Sequence, residues 1–295
     1  MCDARGITHV LGGRWSGRAG SAPCPICQPQ GRKDQRALSI GTGRDGRVLV
    51  KCHKLGCDFL DILATLRDVG AMGDWRPDPV AAAKRAEEER QDRERRISGA
   101  QALWERAAPI HGTLAETYLR ARQIQGNLSA VRFDPECRHP SRMDLPAMIA
   151  PMIREGDGLV AVHRTFLAAP GRKADVDPVK AMLGVATGAA VRLTEGPGPL
   201  LVGEGIESTL SAADAICAHK PSAWAAASAH GIRKLALPKD PGLLIIAPDA
   251  EAVGISAAED LAARADDAGW RVRLMPPPDG FNDWNDAARA EGVSA

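Results

Sequence analysis

Aromatic side chains are scarce. Four phenylalanines, six tryptophans and one tyrosine, Tyr118, occur in 295 residues. A reaction that needs a tyrosine nucleophile therefore has one residue to choose from. No apolar run reaches the roughly 18 residues of a membrane-spanning helix, so no membrane partner is expected. Met1–Gly20 contains Arg5, Arg14 and Arg18 but no apolar stretch of the secretory kind, so no signal peptide is read and the expected compartment is the cytoplasm. There, seven cysteines imply thiols or metal ligands rather than disulfides. No Gly-Lys pair occurs, which excludes the phosphate loop of an ATP-driven motor. The G-x-S-x-G elbow of serine hydrolases is missing too, and no internal repeat is visible.

What is present has the balance of a globular protein, with 44% apolar and 25% charged residues. The length suits one large domain or two to three small ones. A net charge of +1 hides an asymmetry. Residues 1–57 carry ten Lys/Arg against three Asp/Glu, and residues 196–295 carry eight against fourteen. A basic end suits a polyanion, and spaced carboxylates suit a divalent cation.

Four regions follow. Residues 1–75 are rich in Gly and Cys, with β-type runs at 37–40 and 47–50 joined by turn chemistry at 41–46, and an amphipathic helix at 58–68 presenting Phe59, Ile62, Leu63 and Leu66. Residues 76–110 open on a break at 76–79 and continue as a charged connecting helix, with Glu89/Arg93 and Asp92/Arg96 spaced to pair. Residues 111–195 pass from helix to β-type runs at 147–150, 159–167 and 190–193, an α+β subdomain. Residues 196–295 alternate strand and helix, with strands expected at 199–203, 222–227, 242–247 and 270–275 and helices at 206–218 and 255–268. That is a small parallel α/β sheet, whose sites form at the carboxyl ends of strands.

Cys24-Pro-Ile-Cys27 lies 25 positions before Cys52-His-Lys-Leu-Gly-Cys57. Two hooks at the ends of a hairpin have the geometry of a zinc ribbon, a structural site closed by four ligands. The second hook is C-x4-C, so His53 competes with Cys52 as the third ligand. Cys2, Cys137 and Cys217 lack partners at ligand spacing and read as ordinary thiols.

Glu204-Gly-Ile-Glu207 follows the first strand of the α/β region. Asp249-Ala-Glu251 follows the third, and Asn282–Asp286 lies beyond the fourth. Carboxylates gathered at one sheet edge repel unless hard cations sit between them, and Mg²⁺ is the expected one. Glu207 and Asp286 also read as capping or supporting groups.

The C-terminal hundred residues resemble a Toprim domain, the catalytic fold of bacterial-type primases, topoisomerases and some nucleases. The carriers are LLVGEGIES at 200–208, LLIIAPDAEAVG at 243–254 and FNDWND at 281–286. The cysteine region resembles the zinc ribbon of bacterial and phage primases. The middle stretch, in IAPMIREGDGLVAVHRTFL, DPVKAMLG and AVRL, resembles the basic subdomain of a primase core. In this order the chain is similar to the small primase-like Toprim proteins of phages, plasmids and integrated elements.

The resemblance implies an α/β architecture of zinc ribbon, α+β basic subdomain and C-terminal Rossmann-like Toprim sheet. It implies a DNA primase, a nucleotidyltransferase of the DNA-directed RNA polymerase type that makes short primers by two-metal phosphoryl transfer. Glu204, Asp249 and Glu251 would be catalytic and hold Mg²⁺ or Mn²⁺, with Asp283 and Asp286 in support. Arg164, Lys173, Lys180 and Arg192 would meet triphosphate or template phosphates. Structural Zn²⁺ would sit in the ribbon. The implied partners are single-stranded DNA template, nucleoside triphosphates and a replicative helicase encoded separately, in phage, plasmid or mobile-element replication. Three positions depart from the family pattern: Glu251 stands for an aspartate, Glu207 lies three rather than four residues after Glu204, and Cys27 replaces a histidine. Two other outcomes fit the same segments: a zinc-ribbon/Toprim module that binds DNA or mediates recombination without chemistry, and a Toprim nuclease. A topoisomerase would need Tyr118, which carries no matching motif.

Overall fold

The computed structural model describes residues 3–17, 19–30, 36–43, 48–70 and 79–293. Cys2, half of the turn expected at 41–46 and most of the break expected at 76–79 fall outside them. Contacts divide the chain into two compact units, Met1–Arg85 and Ala86–Ala295.

The first unit contains α1 (Ala4–Val10), β1 (Arg14–Ser16), β2 (Ala19–Ala22), β3 (Leu38–Thr42), β4 (Val48–Cys52) and α2 (Phe59–Asp68). Its strands form an antiparallel sheet in the order β1-β2-β3-β4. Both helices start on an aspartate. Asp3 accepts from the Gly6 N–H and Asp58 from the Leu60 N–H, satisfying donors that a helix start leaves unpaired. Ile62 and Leu66 close a small core with Ile7, Leu38 and Ile40, while Phe59, in the first turn of α2, stays exposed.

Helix α3 (Pro79–Arg106) occupies most of the stretch read as a charged connecting helix. Its ion pairs differ from the expected Glu89/Arg93 and Asp92/Arg96. Arg90 pairs with Glu87 (2.7 Å) and Glu94 (2.5 Å), and Arg95 with Asp92 (2.7 Å). Arg96 donates to the Gly184 carbonyl instead. The C-terminal turns of α3 bury Ala100 and Leu103 against Ile149, Val162 and Phe166.

Then come β5 (Ala108–Pro109), α4 (Leu114–Ala121), β6 (Arg132–Arg138), β7 (Asp144–Arg154), β8 (Gly158–Ala168), β9 (Arg172–Lys173), β10 (Lys180–Gly184) and β11 (Ala189–Thr194). Their pairings with one another are antiparallel. The rest is β12 (Leu200–Gly203), α5 (Ile206–Ala215), β13 (Ser222–Ala225), α6 (Ala229–Lys234), β14 (Leu243–Ala247), α7 (Ala252–Asp267), β15 (Arg271–Leu274) and α8 (Trp284–Val293). These four strands pair in parallel, in the order β13-β12-β14-β15. One sheet runs through both halves, because β11 pairs antiparallel with β13.

The central strands β12 and β14 are apolar on both faces because both faces are covered, while the edge strand β15 carries two exposed arginines. Leu201 and Ile245 join a core with Ile206 and Leu210 of α5. Leu200, Val202, Leu244 and Ile246 join another with Ala257, Ala258 and Leu261 of α7. The chain leaves β12 for β13 on one side and returns to β14 on the other. Between the carboxyl ends of β12 and β14 lies the switch point where open α/β sheets form their sites.

Asn285 fixes the approach of α8 to this edge. Its side-chain amide, 1% exposed, donates to the Arg122 carbonyl (2.8 Å) and to Ser211 Oγ (3.0 Å). Asn285→Ala removes both bonds and leaves the buried Ser211 hydroxyl without this partner. It should destabilise the protein by about 1–3 kcal/mol, read as a lower denaturation midpoint in urea.

Candidate active site and metal centre

In the first unit, Cys24, Cys27, Cys52 and Cys57 bring their sulfurs within 4.8 Å of one another. The Cys27 and Cys52 sulfurs are 3.6 Å apart. A tetrahedral Zn²⁺ with Zn–S bonds of about 2.3 Å needs sulfurs about 3.8 Å apart, so the cluster fits that ion. Burial would push the Cys52 thiol up, but the backbone N–H groups of Leu55, Cys57 and Lys54 outweigh it and bring it down to about 6. Cys27 goes the other way, pushed up to about 12 by burial and the neighbouring thiols. Four thiols this close ionise together only around a cation. His53 is not among them: its Nε2 pairs with Ser39 Oγ (2.9 Å) on the outside of the sheet. Of the other cysteines, Cys137 is buried and Cys217 exposed, both free thiols.

In the second unit, β12 ends on Gly203 and delivers Glu204, and β14 ends on Ala247 and delivers Asp249 two residues on. Glycine is required before Glu204, because a Cβ at Gly203 would lie 2.4 Å from Thr209 Oγ1. Glu251 is the N-cap residue of α7, yet its side chain makes no cap hydrogen bond. The Ala250 N–H donates to the Asn282 carbonyl (2.8 Å), drawing the Asp283 loop to the same edge. Asp283 Oδ1 accepts from the Asp286 N–H, which starts α8.

The charges show what meets there. Burial pushes the Asp249 carboxyl up to about 7, helped by Glu204, Asp283 and Glu251 and partly offset by Lys180. Burial also raises Glu204, against the Ala229 N–H that it accepts; Glu251 raises it further and Lys180 opposes. Asp249 Oδ1 is buried without a hydrogen-bond partner. An orphaned carboxylate oxygen among three other carboxylates fits a hard divalent cation. Among the described residues, only the cysteines form a group of three or more with ligand atoms all within 4.8 Å of one another; the carboxylates form no such group. Asp286 turns aside, its carboxylate 4.0 Å from Arg289.

The four basic candidates separate by strand register. Lys180 pairs across β10–β8 with Thr165, and Lys173 across β9–β8 with Leu167. Thr165 and Leu167 are two apart, so both lysines share one face, and Arg164 takes the other. Lys180 acts on Glu204 and Asp249, and Lys173 feels Asp283. Arg164, 8% exposed, donates to the Arg138 and Met182 carbonyls. Arg192 stacks over Trp224 and pairs with Glu155 (2.7 Å). It lines a cavity of about 480 Å³ at the amino ends of β12, β13 and β14, away from Glu204. The sequence showed four basic residues but not their register, which decides which of them face the carboxylates.

Beneath the lysines lies a contact that nothing in the sequence marked. Tyr118 Oη donates to Glu207 Oε1, and Lys180 Nζ stands 3.8 Å from Glu207 Oε2. The two residues are 89 positions apart, beyond any local pattern.

Gly254, in the first turn of α7, makes this edge testable. A Cβ there would lie 2.8 Å from the Asp249 carbonyl oxygen. Gly254→Ala should displace Asp249 and cut metal-dependent turnover about 10- to 100-fold, with the thermal midpoint checking that the fold is retained.

Residues 199–294 match the model of a Toprim domain. Residues 94–193 match a domain of unknown function, DUF7146. No curated protein matches the chain. Among solved structures it is similar to the zinc-binding and RNA polymerase domains of the Aquifex aeolicus primase, at 13% identity and a TM-score of 0.46, over 100% of this chain and 84% of that one. It is also similar to the primase fragment of the bacteriophage T7 primase-helicase protein, at 13% identity and a TM-score of 0.40, over 90% of this chain and 93% of that one. Among the described residues no helix is long and apolar enough to cross a membrane.

Proposed function

From a chain that carries a Toprim domain at residues 199–294, we propose a primase-type nucleotidyltransferase that joins nucleotides into short primers on single-stranded DNA. The observation that supports it best is the meeting of Glu204, Asp249, Glu251 and Asp283 at the β12/β14 switch point, with Lys180 beside them. The site residues then divide the work. Glu204, Asp249 and Glu251 would hold Mg²⁺ or Mn²⁺, with Asp283 in support. Bound there, the ions neutralise phosphoryl oxygens and make a 3′-hydroxyl easier to deprotonate. Lys180 and Lys173, on the facing strands, receive the triphosphate. Arg164 and Arg192, on other faces, take no part at the carboxylates. Asp286 serves α8 rather than the ions. The cysteine cluster would hold structural Zn²⁺ in a unit whose excess of Lys and Arg suits the template backbone. The remaining partner is a replicative helicase, in phage, plasmid or mobile-element replication.

The test supplies single-stranded DNA, labelled nucleoside triphosphates and Mg²⁺ or Mn²⁺. Short labelled products that vanish in EDTA support the reading. Shortened DNA without labelled product identifies a nuclease. Tight binding that persists in EDTA with no turnover identifies a module without chemistry.

A further inference from the structure

Tyr118 and Glu207 are both deeply buried, at 2% and 5% exposure, and the Tyr118 hydroxyl bonds to Glu207 rather than to the carboxylate cluster. Tyr118 projects from α4 and Glu207 from the first turn of α5, so two elements meet in one hydrogen bond. The other oxygen of Glu207 faces the Lys180 ammonium, which enters from β10 and is about one-third exposed. A buried carboxylate is costly unless a cation and hydrogen bonds satisfy it. Burial alone would raise Glu207, but Lys180, the Tyr118 hydroxyl, its own backbone N–H and Lys173 outweigh it and hold the carboxyl well below the usual range. His163, two residues from the strand partner of Lys180, does not compete as a cation: burial and then Lys180 lower it to about 4. One oxygen of Glu207 is therefore fixed by a hydroxyl and the other aims at one ammonium. That ammonium also acts on Glu204 and Asp249. A lysine carries four rotatable carbons, and an unanchored ammonium would sample many positions.

We propose that Tyr118 and Glu207 are positioning residues that together hold the Lys180 ammonium at the rim of the carboxylate cluster, where it meets the triphosphate of the incoming nucleotide. The second half rests on the primer-synthesis reading; the first half does not. The arrangement also gives the single tyrosine a role other than nucleophile. Its hydroxyl is bonded to a carboxylate, and burial, reinforced by Glu207, raises its pKa far above its ordinary value.

The test uses the full chain. Tyr118→Phe removes one hydroxyl and keeps the ring in its core, and thermal unfolding checks that the fold survives. Glu207→Gln removes the charge. Amine-reactive labelling, read lysine by lysine by mass spectrometry, reports how firmly Lys180 is held. Both variants should label Lys180 about tenfold faster than the parent, with exposed Lys220 and Lys239 unchanged. In primer synthesis, Tyr118→Phe should raise the nucleotide KM more than it lowers kcat. It should add nothing in a Lys180→Met background, since the two changes act on one interaction. Unchanged Lys180 labelling in both variants overturns the proposal. So does full additivity with Lys180→Met, which marks a merely structural role. A parent that makes no primer while Lys180 labelling rises in the variants defeats the nucleotide reading and leaves the positioning of Lys180 supported.

Discussion

Asp249→Asn should lower primer synthesis at least about 100-fold while raising the stability of the metal-free protein, since even the outer partners of metal ligands are worth about 10- to 100-fold. Both effects have one cause. Asp249 sits half-buried among Glu204, Asp283 and Glu251, which push its carboxyl up to about 7, with burial the largest contribution. Its folded pKa lies above its unfolded value, so the stability this group contributes is greatest at low pH. It is lost as pH rises from the unfolded carboxylate range through about 7. Asparagine never ionises and escapes that loss, yet it brings no negative charge to a cation. Thermal unfolding in EDTA at pH 5 and pH 8 checks the first effect: the parent should lose more stability over that range than the variant. Added Mg²⁺ should raise the parent's midpoint and leave the variant's nearly unmoved. A variant that keeps full activity would remove Asp249 from the chemistry.

Stripping zinc should unfold the residues 1–85 unit and leave the residues 86–295 unit standing. The first unit has a small core built on Ile7, Leu38, Ile40, Ile62 and Leu66. A core this small leaves little surplus stability of its own. Structural Zn²⁺ binding is worth about 10–16 kcal/mol in comparable peptides, more than such a core supplies alone. Cys57→Ser should act like a strong chelator, and His53→Ala should leave metal content unchanged, because His53 pairs with Ser39 outside the cluster. Metal analysis should give one zinc per parent chain and much less in the serine variant. Limited proteolysis of the chelated chain should digest the first unit and spare the second. A chelated chain that resists protease throughout would contradict the zinc assignment.

Much of this was legible because local chemistry repeats a few patterns. The amphipathic run at 58–68 was legible as a helix, and the structure forms one over Phe59–Asp68, with Asp58 as its N-cap. The apolar runs at 199–203 and 242–247 read as strands with acids just past their ends, and the structure forms them over Leu200–Gly203 and Leu243–Ala247. Elsewhere the signals were too weak or too distant. β2, with the sequence AGSA, has no β-branched residue, and its Gly20 is needed because a Cβ would meet Thr8 at 2.1 Å. β6 contains Pro135 and shifts register between Asp134 and Cys137, so no alternation marks it. The fates of Arg164 and Lys180 hinge on pairing across β8, and a shift of one residue would exchange their faces. Asn285, between the two acids of the last motif, passed unnoticed because its partners, Arg122 and Ser211, lie 163 and 74 positions away.

The central claim is that the carboxylates at the β12/β14 edge join nucleotides on single-stranded DNA. Its most direct test is formation of the first dinucleotide by the parent and by Glu204→Gln in parallel, with Mg²⁺ or Mn²⁺ and a template whose binding is followed in the same samples. Dinucleotide from the parent alone, with both proteins bound equally to the template, is the expected result. Equal dinucleotide from both proteins would contradict the claim, and so would none from a parent saturated with template and nucleotide.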